Sequence, residues 1–187
     1  MIDYMKIARA VEYYKTCDYE YIDAPWFVSL DSLLVTRPSG TRIFSTFAGE
    51  LVASGEQSFI EMRKKLKPGK YQCVTPCFRD DKYDKLHQMY FMKNELIWVP
   101  EMNVRPICSL VDIMINESLQ FFKRYGEAKI VEIKYDHNNI CSKDIFVNGI
   151  EVGSYGVRLH DGFTWCYGTG CAEPRLSMVS KELSKLD

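Results

Sequence analysis

The chain has 187 residues, 24 Lys+Arg against 25 Asp+Glu, a formal net charge of −1, and 47% hydrophobic residues. That length is enough for one domain with a sizeable core, and the balanced charge excludes a global electrostatic pull towards nucleic acid or an anionic membrane. No apolar run approaches the ~20 residues of a membrane-spanning helix, and the charged N-terminus is not a signal peptide. The seven cysteines are odd in number and lack framework spacing, so reduced, buried thiols in a cytoplasmic protein are expected. The gaps Cys73/Cys77 and Cys166/Cys171 do not suit zinc knuckles.

In chain order, Ile2, Met5, Ala8, Val11 and Tyr14 recur at helical spacing and predict a helix over 2–15. YEYIDAPWFVS (19–29) alternates as a strand does, interrupted by Pro25, a residue confined to strand edges and ends. TRPSGTR (36–42) is a loop by its turn residues. Residues 54–66 predict a helix with Ser54 as N-cap and Gln57 completing a capping box. Strands are expected at 71–78 and 89–99, around a charged loop, RDDKYDKLH. The longest helix spans 109–125, with Gly126 beyond its end.

Further strands follow near 128–135, 144–148 and 150–159, then a short one in FTWCY. Gly168 and Gly170 read as a glycine turn leading into a last helix over 172–185. No repeat or linker divides the chain. The expected class is α+β, a mainly antiparallel sheet flanked by helices, without the strand–helix alternation of a doubly wound fold.

Three charged groupings stand out. In DIFVNGIEVGSYGVR, Asp144, Glu151 and Arg158 are seven apart, twice over. Asn148-Gly149 signals a two-residue hairpin turn. It pairs Val147 with Ile150, Phe146 with Glu151 and Asp144 with Gly153, so the two acids share a face. A bulge at Gly153 or Gly156 would bring Arg158 to the same side. Two carboxylates so placed fit either a solvated hairpin face or a perch for Mg²⁺. The loop at 79–87 offers Arg79, acids and His87 beside Phe91, which fits a polar hairpin tip or a polyphosphate grip. Arg175 opens the last helix, where the dipole favours a negative residue, and that conflict marks it as a candidate anion ligand.

Together and in this order, these groupings resemble the catalytic core of class II aminoacyl-tRNA synthetases. Closest is the aspartyl/asparaginyl branch with its relative, ammonia-dependent asparagine synthetase. The resemblance spans about Tyr13 to Leu186. YEYIDAPWFVS is similar to the first class II motif, which implies a homodimer through residues 13–30. LVASGEQSFIEMRKKL resembles the segment beside the amino-acid pocket, which implies substrate contact for Glu56.

CFRDDKYDKLHQMYFMKNE resembles the second motif. The likeness implies Arg79 on the α-phosphate and reacting carboxylate, Asp81 seating ATP, His87 near the outer phosphates and Phe91 against adenine. DIFVNGIEVGSYGVR is similar to the aspartyl-type segment, implying Asp144 and Glu151 on Mg²⁺ and Arg158 on a substrate side-chain carboxylate. GTGCAEPRLSM resembles the third motif, implying Arg175 on the γ-phosphate. Tyr90, Ala172 and Pro174 depart from the family pattern, where Glu, Gly and an acid are usual.

The implied chemistry is activation of an acidic amino acid, aspartate or an analogue, as an aminoacyl-adenylate, with Arg79 and Arg175 as the catalytic arginines. Positioning and charge neutralisation carry such a reaction. The expected unit is a single catalytic domain over 1–187 without an anticodon-binding domain. Ammonia or another amine is therefore the expected acceptor. A minimal synthetase acting on tRNA and a catalytically silent ATP-binding paralogue are the alternatives.

Overall fold

Asp3 caps the first helix, α1 (Tyr4–Lys15), through its carboxylate, which accepts from the backbone N–H of Met5 and Lys6. The computed structural model describes residues 1–38, 40–80, 87–101, 106–133 and 140–183. In α1 the buried stripe is Ile7, Ala10 and Tyr14, not the expected stripe from Ile2 through Met5 and Ala8. Tyr4 and Met5 face solvent. The two stripes share only Tyr14, whose hydroxyl donates to the Gly170 carbonyl and sets the helix rotation.

Next come β1 (Glu20–Tyr21), β2 (Phe27–Val28), α2 (Leu30–Leu34), β3 (Ser45–Thr46) and β4 (Gly49–Leu51). Pro25 falls between β1 and β2, as its missing N–H requires. The strands β2, β4 and β3 form a small sheet, which the sequence reading did not anticipate. Helix α3 (Gly55–Met62) follows and ends in a 3₁₀ turn at Arg63–Lys65. Ser54 caps it by accepting from the Glu56 N–H, while the Gln57 side-chain amide oxygen accepts from the Ala53 N–H, the residue before the N-cap, and not from Ser54 as the expected box requires.

The main sheet uses β5 (Gly69–Phe78), β6 (Tyr90–Val99), β7 (Ala128–Glu132), β8 (Ile140–Val147), β9 (Ile150–His160) and β10 (Phe163–Glu173). Its order is β1-β5-β6-β10-β9-β8-β7, antiparallel throughout except for the β1–β5 pair. Helices α4 (Cys108–Phe122) and α5 (Arg175–Leu183) complete the fold. The expected α+β class with a mainly antiparallel sheet holds.

Side chains alternate across each strand, and the two faces of the sheet differ. Leu96, Val152, Tyr155, Val157, Cys166 and Cys171 pack against α1, α4 and α5, with Met114, Phe121 and Phe122 from α4. On the other face α3 covers one end through Phe59 and Ile60, against Tyr71, Ile97 and Val99. The remainder of that face is open and charged.

Three local readings need correction. The glycines at 168 and 170 do not turn the chain; they lie inside the eleven-residue strand β10. A side chain at Gly168 would lie 2.6 Å from the Tyr155 ring, and one at Gly170 would strike Asn94, so glycine here answers close packing. In the β8–β9 hairpin, Asn148 has φ 51° and Gly149 φ 81°, and Val147↔Ile150 and Phe146↔Glu151 pair as expected. One extra residue on β9 then shifts the ladder, so Ile145 pairs with Gly153 and Asp144 with Ser154. The expected bulge thus falls just before Gly153. Finally, Cys108 and Cys141 form a disulfide, against the expectation of seven reduced thiols, while Cys73, Cys77, Cys166 and Cys171 are free and buried. No helix among the described residues is long and apolar enough to cross a membrane.

Candidate active site

Strand β6 presents Phe91, Lys93 and Glu95 to the open face, because every second residue points that way. Arg79 continues β5 onto the same side. Its Nε donates to the Ala53 carbonyl at 2.9 Å, and its guanidinium carbon lies 5.1 Å from the Phe91 ring centroid. This is cation–π distance. From β9, the bulge brings Glu151 into step with Ser154, Gly156 and Arg158. Gly156 leaves room for Tyr167, whose hydroxyl would lie 2.7 Å from a side chain there. The Tyr167 ring in turn carries the Arg158 guanidinium at 4.6 Å.

Two cavities open on this face. Arg79, His87, Phe91, Glu151 and Arg175 line the first. Glu56, Glu95, Arg158 and Tyr167 line the second, of about 300 Å³. Arg79, Lys93 and Ser154 line both, so the two adjoin along one cleft. In the first, Arg175 begins α5 and its guanidinium lies 3.6 Å from the Glu151 carboxylate, which offsets the cation's conflict with the helix dipole.

The floor of the second cavity is a buried charge network. Glu56 accepts from the Trp165 indole N–H at 2.7 Å and meets Arg158 at 3.2 Å. Burial pushes the Glu56 carboxyl above its usual range; Arg158 opposes that and the neighbouring Glu95 adds to it. Glu95, 1% exposed, accepts from Lys93 at 2.7 Å and from the Ser54 hydroxyl at 2.6 Å. Each buried anion therefore has an ion-pair partner and a neutral donor, which is what makes such charges tolerable away from water.

Asp144 lies one strand further out, opposite Ser154. Its carboxyl is raised to about 6, first by burial, with Ser154 opposing and Glu151 adding to the rise. Asp144 beside a second carboxylate, Glu151, fits a divalent cation. Asp144 and Glu151 would hold it, and it would neutralise phosphate charge. No third His, Cys, Asp or Glu joins them among the described residues, so water and phosphate would complete the shell.

Eight of the nine sequence-derived site residues thus sit on or beside one cleft, and Asp81 lies outside the described residues. The structure alters the reading of one of them. Arg158 already has a carboxylate, Glu56, and does not need a substrate to satisfy its charge. Lys93 was missed. Its alternation with Phe91 and Glu95 along β6 was the available signal. Trp165 and Tyr167 were read only as part of a short strand.

The overall arrangement has known parallels. The cytoplasmic serine-tRNA ligase of Naegleria fowleri, solved in complex with AMP, superposes with a TM-score of 0.76 at 16% identity, over 94% of this chain and 47% of that one. PylSc, a pyrrolysyl-tRNA synthetase from Desulfitobacterium hafniense, superposes at 0.72 with 14% identity, over 95% of this chain and 67% of that one. The fold is that of a class II aminoacyl-tRNA synthetase catalytic domain. Neither a protein-family model nor a curated sequence matches the chain, and neither neighbour belongs to the aspartyl/asparaginyl branch. The chain spans about half the length of the seryl enzyme. Within the class II fold, the cleft occupies the sheet face that helices leave uncovered.

Proposed function

We propose that this domain activates an amino acid with ATP. A carboxylate oxygen attacks the α-phosphorus, the bond to the bridging oxygen breaks, and pyrophosphate leaves with an aminoacyl-adenylate remaining. The observation that carries the reading is the junction of the two cavities at Arg79, Lys93 and Ser154. A triphosphate over Arg175 and His87 and a carboxylate in the second cavity would meet at Arg79. Phe91 offers a ring for adenine, on the face now covered by Arg79 or on the opposite one. No side-chain base is needed, and orientation with fixed positive charge supplies the rate. Mg²⁺ on Asp144 and Glu151 would add neutralising charge.

The amino acid is acidic, aspartate or an analogue. Among the described residues, five cationic and three anionic side chains line the second cavity, an excess of two positive charges. The acceptor is ammonia or another amine, in keeping with the balanced net charge of the chain. A tRNA acceptor is the second reading, favoured because both solved neighbours are tRNA ligases. The domain acts as a homodimer through residues 13–30. The half-exposed Tyr21, Trp26, Phe27 and Leu30 support this, as apolar surface of that kind marks interfaces.

Pyrophosphate exchange into ATP, scanned over all amino acids, tests the reaction. Aspartate or a close analogue is expected to support exchange, and absence of exchange with every amino acid would leave a silent nucleotide-binding paralogue. Mass spectrometry of the products formed with ammonia or with tRNA then separates the two acceptors.

A further inference from the structure

The second cavity has an outer wall that the reaction does not use. It is built by the stretch between α2 and β3, which brings Thr36, Arg37, Thr41 and Arg42 to the lining of the cavity that Glu56 and Arg158 also line. Within it the Thr41 hydroxyl donates to the Pro38 carbonyl at 3.0 Å. Behind the rim, Lys93 is matched by Glu95 at 2.7 Å and Arg158 by Glu56 at 3.2 Å. Arg79 is held at the junction by the Ala53 carbonyl. Arg37 and Arg42 form no ion pair among the described residues. The Arg42 guanidinium lies 5.7 Å from the Phe44 ring centroid. Beside them the Thr36 hydroxyl is buried without a hydrogen-bond partner. A buried donor left open next to two unmatched guanidiniums is costly unless something accepts from it. Asp80 lines the same cavity, and with it counted the cationic excess is still two.

We propose that Thr36, Arg37 and Arg42 bind the anionic side-chain group of the amino-acid substrate, a carboxylate or a phosphate. They, rather than Arg158, would then select an acidic substrate. The inference rests on the reading of the second cavity as the amino-acid site. Arg158 becomes a positioning residue that holds Glu56 ionised and aligned, and leaves Glu56 and Glu95 to face a substrate ammonium. A substrate would therefore lie across the cavity. Its ammonium faces the buried acids, its α-carboxylate turns to Arg79, and its side-chain anion reaches the rim. Guanidinium groups suit both carboxylate and phosphate through paired hydrogen bonds, so the side-chain length decides which fits.

Calorimetric titration without ATP separates this inference from the proposed reaction. The probes are aspartate, glutamate and O-phosphoserine, each against its neutral counterpart: asparagine, glutamine and serine. At least one anionic probe is expected to bind about tenfold or more tightly than its neutral counterpart. That preference should disappear in an R37A/R42A double variant, while affinity for the neutral partner stays. An R37K/R42K variant should keep part of it. Equal binding of both partners by the wild type, or a preference that survives in R37A/R42A, overturns the inference. Loss of the preference in Arg158→Met with R37A/R42A unaffected would return the role to Arg158. A side-chain preference found together with no pyrophosphate exchange would sink the proposed reaction and leave the anion site standing.

Discussion

The two faces of one sheet are built from alternate residues of the same strands, yet they obey different rules. Along β9, Val152, Tyr155 and Val157 are apolar or aromatic and buried against helices. Glu151, Ser154 and Arg158 point the other way and line the cleft. The helix-covered face is closed by hydrophobic packing, where each residue is felt through the volume it fills. On the open face, charges are held in pairs and triads, where each residue is felt through the partner it would leave behind. Stability should therefore concentrate on the first face and ligand binding on the second.

The sharpest way to break that contrast lies in the core. Phe121, 0% exposed, sits among Tyr13, Tyr14, Phe122 and Tyr125. Phe121→Ala is expected to cost ~3–5 kcal/mol in urea unfolding. Arg79→Ala on the open face should cost less than about 1 kcal/mol of stability but lower pyrophosphate exchange about 100-fold. If the two substitutions moved the same quantity, the division between faces would fail.

Next in size is the Glu56–Arg158 pair. Removing one buried partner costs ~3–5 kcal/mol, and the partial exposure of Arg158 brings Glu56→Ala nearer ~2 kcal/mol. The double change Glu56→Leu with Arg158→Met should cost less than Glu56→Ala alone. Chemical denaturation of Glu56→Leu, Arg158→Met and the double variant, each against the wild type, closes the cycle. A double variant less stable than either single one would show that the pair is more than mutual compensation.

The smallest effect is a pH dependence at Glu173, fully buried and with one carboxylate oxygen lacking a hydrogen-bond partner. Burial raises its carboxyl above the usual range, against the opposing bonds from Ser177 and the Asp3 N–H. A raised folded value means the group favours folding below its unfolded pKa, and loses that contribution as pH rises through the folded value. Glu173→Gln should thus be more stable than the wild type near neutrality, with the difference vanishing below the unfolded carboxyl pKa of about 4. Thermal melts across that range check the sign. A variant that is less stable at neutral pH would mean the carboxylate is needed ionised.

The same contrast explains what could be read from the sequence. The β8–β9 hairpin was legible at Asn148-Gly149 because turn chemistry is local, and β5 and β6 were legible because their runs are long and rich in β-branched and aromatic residues. The α1 face was misread because two apolar stripes overlap on one short helix, and only the contact with β10 chooses between them. Gly168 and Gly170 looked like a turn because a glycine needed for close approach carries the same letter as one needed for a bend. The Arg158 partner was out of reach for another reason. Glu56 lies 102 residues away along the chain, on a helix that crosses the sheet face, and nothing local to either residue signals the pair. Spacing singled out Asp144, Glu151 and Arg158, whereas the balance of charge between the cleft residues emerged only from the fold.

The central claim is that the open face binds ATP between Arg79 and Arg175. Calorimetric titration of the full chain with a non-hydrolysable ATP analogue and Mg²⁺ tests it most directly. One site per chain is expected, with affinity reduced about tenfold or more in Arg79→Ala and in Arg175→Ala, and melting temperatures near that of the wild type. No binding by the wild type, or affinity unchanged in both variants, would contradict the account.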